Sequence, residues 1–300
     1  MWPPIHIRHS SRQELPVVID RLDQEFVFNK RRSLSLSKRF PHTLSVDNID
    51  RVLVAATDGV ICGALSIRMF EWVVEQQVWP AAMIGMVWVD SQHRGKGIGS
   101  SLLCLAAQLL RENNVAFGVL WTGNPAFYER AGWFSSDRGL FGEVAPPPTS
   151  PRIAAVSCRP LASEDVASLE RLRSSWLAMR VVRHSLDYCT VPMPAVDVLC
   201  FSASSDDGEG FALVGEEGGI AYFYEMIAPP CLWGTIWSGV TERFSRVFVN
   251  GHSDDPFAQW LAENRLVGWR PQHKTMWLRV SGRIEERSIR AWHIPYYDWI

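Results

Sequence analysis

The sequence predicts a duplicated α+β fold. Three observations lead there: strand-like and helix-like segments alternate, a proline-rich stretch lies near the midpoint, and three short patterns recur in the same order on either side of it. At 300 residues the chain exceeds the usual size of one compact domain, which favours two.

The first pattern pairs "IRHSSRQELPVVIDRL" (Ile7 to Leu22) with "CRPLASEDVASLERL" (Cys158 to Leu172). Each reads as a short strand, polar residues able to cap a helix, then apolar residues three and four apart. The second pairs "RVLVAATDGVICGAL" (Arg51 to Leu65) with "FALVGEEGGIAYFYEM" (Phe211 to Met226), two strands joined by hairpin turns at Asp58-Gly59 and at Gly218-Gly219. The third pairs "YERAGW" (Tyr128 to Trp133) with "ENRLVGW" (Glu263 to Trp269). Between the repeats, "GEVAPPPTSPRI" (Gly142 to Ile153) holds four prolines that stiffen the backbone and remove amide donors. The expected division is a first domain over 1–142, a linker over 143–155 and a second domain over 156–300.

Composition narrows the function. Hydrophobic residues at 47% and charged ones at 21% belong to an ordinary globular protein, and a net charge of -2 offers neither nucleic acid nor a membrane surface a strong field. The six cysteines are scattered without a C-x-x-C pair or metal-ligand spacing, so they read as free thiols in a reducing, cytoplasmic setting with no metal. No secretory signal is visible at the N-terminus. The apolar run Ile220 to Val240 imitates a membrane span, but Glu225, Pro229 and Pro230 inside it favour a buried strand followed by a loop.

In the first half a strand over Ala81 to Asp90 runs into "DSQHRGKGIGSSL", and Ile98, Leu102, Leu105, Ala106 and Leu109 then mark one stripe of a helix. A buried strand over Val115 to Thr122 follows, and Asn124-Pro125 opens another helix. A glycine loop between a strand and a helix N-terminus gathers unpaired amides around one spot, where the helix dipole adds positive potential. Gly95, Gly97 and Gly99 permit close backbone approach, while Arg94 and Lys96 add charge. That chemistry suits a pyrophosphate; the structural alternative is a tight turn that lets helix and sheet pack closely. The Walker loop does not fit, because Gly95-Lys96 is followed by glycine, and the antiparallel hairpin upstream argues against a dinucleotide fold.

"QHRGKGIG" (Gln92 to Gly99) resembles the Q/R-x-x-G-x-G/A loop of the GNAT superfamily of acyl-CoA-dependent N-acyltransferases. "NPAFYERAGW" resembles the later N-x-x-x-x-Y-x-x-x-G-F segment of that family, through Asn124, Tyr128, Gly132 and Trp133. The resemblance covers roughly residues 1–142. It implies a mixed, mostly antiparallel sheet flanked by helices, duplicated in two domains. It also implies that acetyl-CoA is the cosubstrate and an amine the acceptor. The pyrophosphate would lie on the loop, at Gln92 and from Arg94 through Gly95, Lys96, Gly97, Ile98 and Gly99 to Ser100. The pantetheine arm would run beside Val87, Trp88 and Val89, with Asn124 touching it.

Acyl transfer to an amine needs a neutral nucleophile, stabilisation of the carbonyl oxygen and a proton for the leaving thiolate. The resemblance gives the proton to Tyr128, for which the plainer reading is an aromatic packed on the sheet, and the oxyanion to a backbone N–H near Val87 or Trp88. The base stays open among Asp90, Glu71, Glu75, the Ile300 carboxylate and a water relay; Ile300 enters because tandem acetyltransferases of the enhanced-intracellular-survival type use a chain-terminal carboxylate. The second half resembles a GNAT unit without its coenzyme loop, with Glu263 or Asn264 in the place of Tyr128. Its aromatic tail, Trp292, Tyr296, Tyr297 and Trp299, is expected to dock on apolar surface. The rival reading is an acyl-CoA-binding regulatory or interaction protein without turnover. The acceptor and the oligomeric state, a homodimer included, are open.

Overall fold

The computed structural model describes residues 4–144 and 156–300. Most of the expected linker, 145–155, lies outside the described residues.

The first half runs β1 (His6–His9), α1 (Leu15–Phe26), α2 (Leu36–Arg39), β2 (Val52–Thr57), β3 (Val60–Val74), β4 (Gln77–Val89), α3 (Ile98–Glu112), β5 (Phe117–Trp121), α4 (Pro125–Glu129), β6 (Phe134–Ser135) and β7 (Gly139–Val144). The second runs β8 (Ser157–Pro160), α5 (Val166–Trp176), β9 (Met179–Val181), β10 (Asp197–Ser205), β11 (Gly208–Glu217), β12 (Ile220–Ile227), α6 (Pro230–Arg243), β13 (Arg246–His252), α7 (Pro256–Glu263), β14 (Val267–Pro271), β15 (Thr275–Arg279) and α8 (Glu286–Ile289). Both expected hairpins form. Asp58 (φ 50°) and Gly59 (φ 77°) turn one, and Gly218 (φ 57°) and Gly219 (φ 80°) turn the other, left-handed pairs whose twist matches the flanking strands.

Two sheets result, ordered β1-β2-β3-β4-β5-β15-β6 and β14-β7-β13-β12-β11-β10-β8, with β9 added to the edge of β3. They are mostly antiparallel, the two parallel pairs being β4 with β5 and β12 with β13. The first sheet takes β9 and β15 from the second half, and the second sheet takes β7 from the first. β15 lies between β5 and β6, and β7 lies between β13 and β14, so strand membership does not follow the chain division at residue 142.

Helix α3 covers one face of the first sheet, setting Leu102, Leu103, Ala106 and Leu110 against Leu53, Leu65, Ile67 and Ile84. On the other face, α1 and α2 pack Val18, Leu22 and Leu36 against Val54, Ala64 and Trp88. In the second half Ile220 to Val240 is not a strand followed by a loop: β12 is followed at once by helix α6, with Pro230 in its first turn. Proline is tolerated there because the first helical N–H groups have no intrahelical partner, so the pair marks a helix start. No helix among the described residues is long and apolar enough to cross a membrane.

Candidate active site

Parallel pairing of β4 with β5 is confined to Ala81–Phe117, Ala82–Gly118 and Met83–Val119. Beyond these pairs the strands part into a V. On its other edge β4 slips register against β3: Ala64 faces Trp88 but Ser66 faces Gly85, so β4 carries an extra residue between them. Met86 sits in this bulge at φ 56°, a conformation that costs an ordinary residue about 1–2 kcal/mol and redirects the neighbouring peptide groups.

The loop after β4 is built by its own side chains. Asp90 Oδ1 accepts from the Gln92 amide at 2.9 Å and lies 3.3 Å from His93 Nδ1. The amide bond, more than the His93 contact, holds the Asp90 carboxyl below its ordinary pKa. Gly95 (φ 77°) and Gly97 (φ 78°) are left-handed, with nothing within 4 Å of where a Cβ would stand. Gly99 serves packing instead, since a Cβ there would come within 2.8 Å of the Phe127 ring. No side chain caps the N-terminus of α3, which leaves its first amides open to an acceptor.

One cavity of about 590 Å³ gathers Val87, Trp88 and Val89 from β4, Arg94, Gly95, Gly97, Ile98, Gly99 and Ser100 from the loop and first turn of α3, and Asn124 and Tyr128 from α4 and its cap. Gln92 and Lys96 do not line it. Tyr128 is half-buried, its ring edge-on to Phe127 at 4.9 Å between centroids. Burial raises its pKa, partly offset by a hydrogen bond with the Thr122 side chain, so the phenol keeps its proton at neutral pH. Two lining residues, Glu25 and Phe26, come from α1 and were not anticipated. Glu25 Oε1 lies 3.4 Å from the Arg94 guanidinium; nothing in the sequence marks a pair 69 residues apart, whose partners only the packing of α1 over β4 brings together.

The candidate bases separate. Asp90 is engaged as the loop's cap, Glu75 is exposed in the β3–β4 turn, and Glu71 lines a different and larger cavity of about 780 Å³, which it shares with Asp47, Arg51 and His42. That cavity holds none of the other anticipated site residues. Ile300 lies at the V: a Cβ added to Gly85 would stand 2.9 Å from Ile300 Cγ1 and 3.0 Å from its main-chain oxygen.

The topology explains how residue 300 reaches residue 85. Because β15 belongs to the first sheet, the chain after it runs back over that sheet's face. Trp292 packs against Phe117 and Trp72 (centroids 5.1 and 6.1 Å), Tyr296 stacks on Tyr224 (5.8 Å) and Trp299 on Trp121 (4.6 Å). Buried ions fix the path: Arg183 grips Asp298 at 2.7 and 2.8 Å and reaches Glu225 at 2.7 Å, while Arg68 donates to the Asp298 carbonyl at 2.9 Å and to Asp187 at 2.7 Å. The aromatic residues thus anchor the tail.

In the second half, counting from the proline that opens each helix sets Gln259 of α7 opposite Tyr128 of α4, because α7 is longer by three residues at its far end. Neither Glu263 nor Asn264 takes that place. Gln259 is held by the Ser253 carbonyl at 3.1 Å.

Residues 6–135 match the family model described as an acetyltransferase (GNAT) domain. Residues 6–135 are a GNAT domain. No curated protein matches the sequence. Among solved structures, the GCN5-related N-acetyltransferase from Anabaena variabilis is similar over 93% of this chain and 73% of its own, at 16% identity and a TM-score of 0.72. A tandem GNAT protein from the clavulanic acid biosynthesis pathway is similar over 94% of this chain and all of its own, at 15% identity and a TM-score of 0.58. The Saccharomyces cerevisiae N-myristoyltransferase with bound myristoyl-CoA is similar over 93% of this chain and 84% of its own, at 10% identity and a TM-score of 0.56. At such identities the likeness is one of fold, and it spans both halves of the chain. GNAT is an acyltransferase fold; the acyl group and the acceptor are separate questions.

Proposed function

We propose that the protein transfers an acetyl group from acetyl-CoA directly to an amine, with the first half catalytic. The observation that carries this reading is the single cavity uniting β4, the glycine loop and Tyr128. The loop amides and Arg94 hold the pyrophosphate, and the freed backbone of Val87 to Val89 pairs with the pantetheine arm, with Asn124 beside it. The bulge at Met86 aims a β4 amide near Val87 or Trp88 at the carbonyl oxygen as it gains charge. The amine nitrogen attacks the thioester carbon, the C–S bond breaks, and Tyr128 gives its proton to the departing sulfur. The proton that the amine gives up leaves through a water relay, since Asp90 is spent on the loop and Glu71 and Glu75 do not line this cavity. The free thiols of all six cysteines accord with a reducing, cytoplasmic setting.

The rival, an acyl-CoA-binding protein without turnover, draws on one observation: β4 offers no carboxylate side chain, and Asp90 just beyond it is spent on the loop. Thiol release from acetyl-CoA with a panel of amines decides between them. Turnover is expected, and Tyr128→Phe should lower kcat about 100-fold or more with little change in acetyl-CoA affinity. Unchanged kcat where chemistry is rate-limiting removes Tyr128 from the mechanism. Binding without turnover for any amine favours the rival.

A further inference from the structure

The cavity's walls stop at Val87 on β4 and at Thr122, the residue after β5. Inward from them the V continues to Gly85 and Trp121, and both are covered from the tail side. Ile300 rests on Gly85 with no space for even a Cβ between them. Trp299 stacks on Trp121 with ring planes 20° apart, and its indole N–H donates to the Ile294 carbonyl at 3.0 Å, which fixes the ring. On the opposite face Ile84 and Leu120 belong to the core beneath α3, at 2% and 1% exposure. The inner end of the V is shut on both faces by apolar groups in contact.

The direction of the coenzyme follows from the loop. The pyrophosphate site is at the outer end of β4, and an arm running from Val89 to Val87 points its thioester toward Gly85. An acyl chain therefore arrives at the closed end. We infer that Trp299 and Ile300 form an acyl-length stop, which limits the donor to acyl groups of a few carbons such as acetyl and propionyl. The inference rests on the acyl-CoA reading of the cavity. A longer chain must displace Trp299 and Ile300, half-buried but packed on Trp121 and Gly85, and forcing extra methylenes into a filled space is unfavourable. The fold alone does not set this limit, since the yeast N-myristoyltransferase of similar fold is seen with myristoyl-CoA. Here the limit is set by two side chains that the second half delivers into the first sheet.

The test is calorimetric binding of unesterified CoA, acetyl-CoA, butyryl-CoA and octanoyl-CoA to the full chain, to Trp299→Ala and to Ile300→Ala, each checked for a folded state by circular dichroism. The native chain is expected to bind CoA and acetyl-CoA alike and octanoyl-CoA roughly tenfold or more weakly. At least one variant should recover octanoyl-CoA affinity while keeping that for acetyl-CoA. Equal native affinity for acetyl- and octanoyl-CoA overturns the stop alone, as does an unchanged length profile in both folded variants. No binding of any form, CoA included, overturns the acyl-CoA reading itself.

Discussion

The two halves share one splayed strand pair and use it in opposite ways. β4 and β5 separate after Met83 and Val119, and β12 and β13 separate after Phe223 and Val249. In the first half the chain leaves β4 through a loop with left-handed Gly95 and Gly97, and a cavity of about 590 Å³ opens beside it. In the second it leaves β12 through Ala228, Pro229 and Pro230 directly into α6. Two prolines at a helix start remove two amides and the freedom to turn them toward an anion. There the gap is narrowed to about 280 Å³ by His293, Pro295 and Tyr296 of the tail, Tyr296 lying against Tyr224. The difference teaches that a parted strand pair keeps an open cavity beside unspent amides only where the following turn leaves them free; elsewhere it accepts side chains as core.

Breaking the tail's anchor should have the largest effect. Asp298 is fully buried, and although burial alone would raise its pKa, Arg183 holds it below the ordinary value. Asp298→Ala leaves a buried guanidinium short of its partner and should cost about 3–5 kcal/mol in urea unfolding. A loss below about 1 kcal/mol would show that the tail is held by its aromatic contacts alone.

The loop comes next. Acetyl-CoA at 100 times its dissociation constant should add about 2.7 kcal/mol to stability, seen as a raised thermal midpoint. Gly97→Glu should abolish that rise, since it sets a β-carbon in a left-handed turn and a carboxylate beside the pyrophosphate, whereas Pro230→Glu in the second half should leave the rise intact. A rise that survives Gly97→Glu would move the coenzyme away from this loop.

A smaller effect concerns the filled V of the second half. Burial pushes the His252 imidazole down to about 4 and that of His293 to about 3, with the two rings 4.9 Å apart. Their folded pKa values lie below the unfolded value near ~6.5, so the unfolded chain binds more protons over that window and stability falls as pH drops from about 6.5 toward 4. Above that window the contribution is complete. His293→Leu should lessen the slope of the acid limb by up to about 1.4 kcal/mol per pH unit, as read from denaturant titrations at several pH values. An unchanged slope would mean that other groups set the acid limb.

Much of the fold was legible because its signals are local. The two hairpins, helix α3 and the Pro125 helix start each follow from turn chemistry or apolar spacing within about 15 residues, and so does the loop that lines the cavity. Helix α6 was missed because Pro229 and Pro230 read equally as a helix start and as a loop. Glu25 was missed because no local pattern marks it. Glu263 or Asn264 was set opposite Tyr128 because the "GW" motif after each helix drew the alignment to the far end, and α7 is three residues longer than α4.

What the sequence determined by itself is the pattern of two repeated units and the difference between their loops: three glycines and a basic pair in one, two prolines in the other. These are backbone properties, fixed wherever the residues stand. The tertiary structure decided the rest: the exchange of β7 and β15 between the sheets, the buried Arg183–Asp298 pair that this permits, and the arrival of Ile300 at Gly85. Strand exchange depends on which edge buries more surface and satisfies more backbone groups, a comparison between whole sheets that no local stretch of sequence encodes.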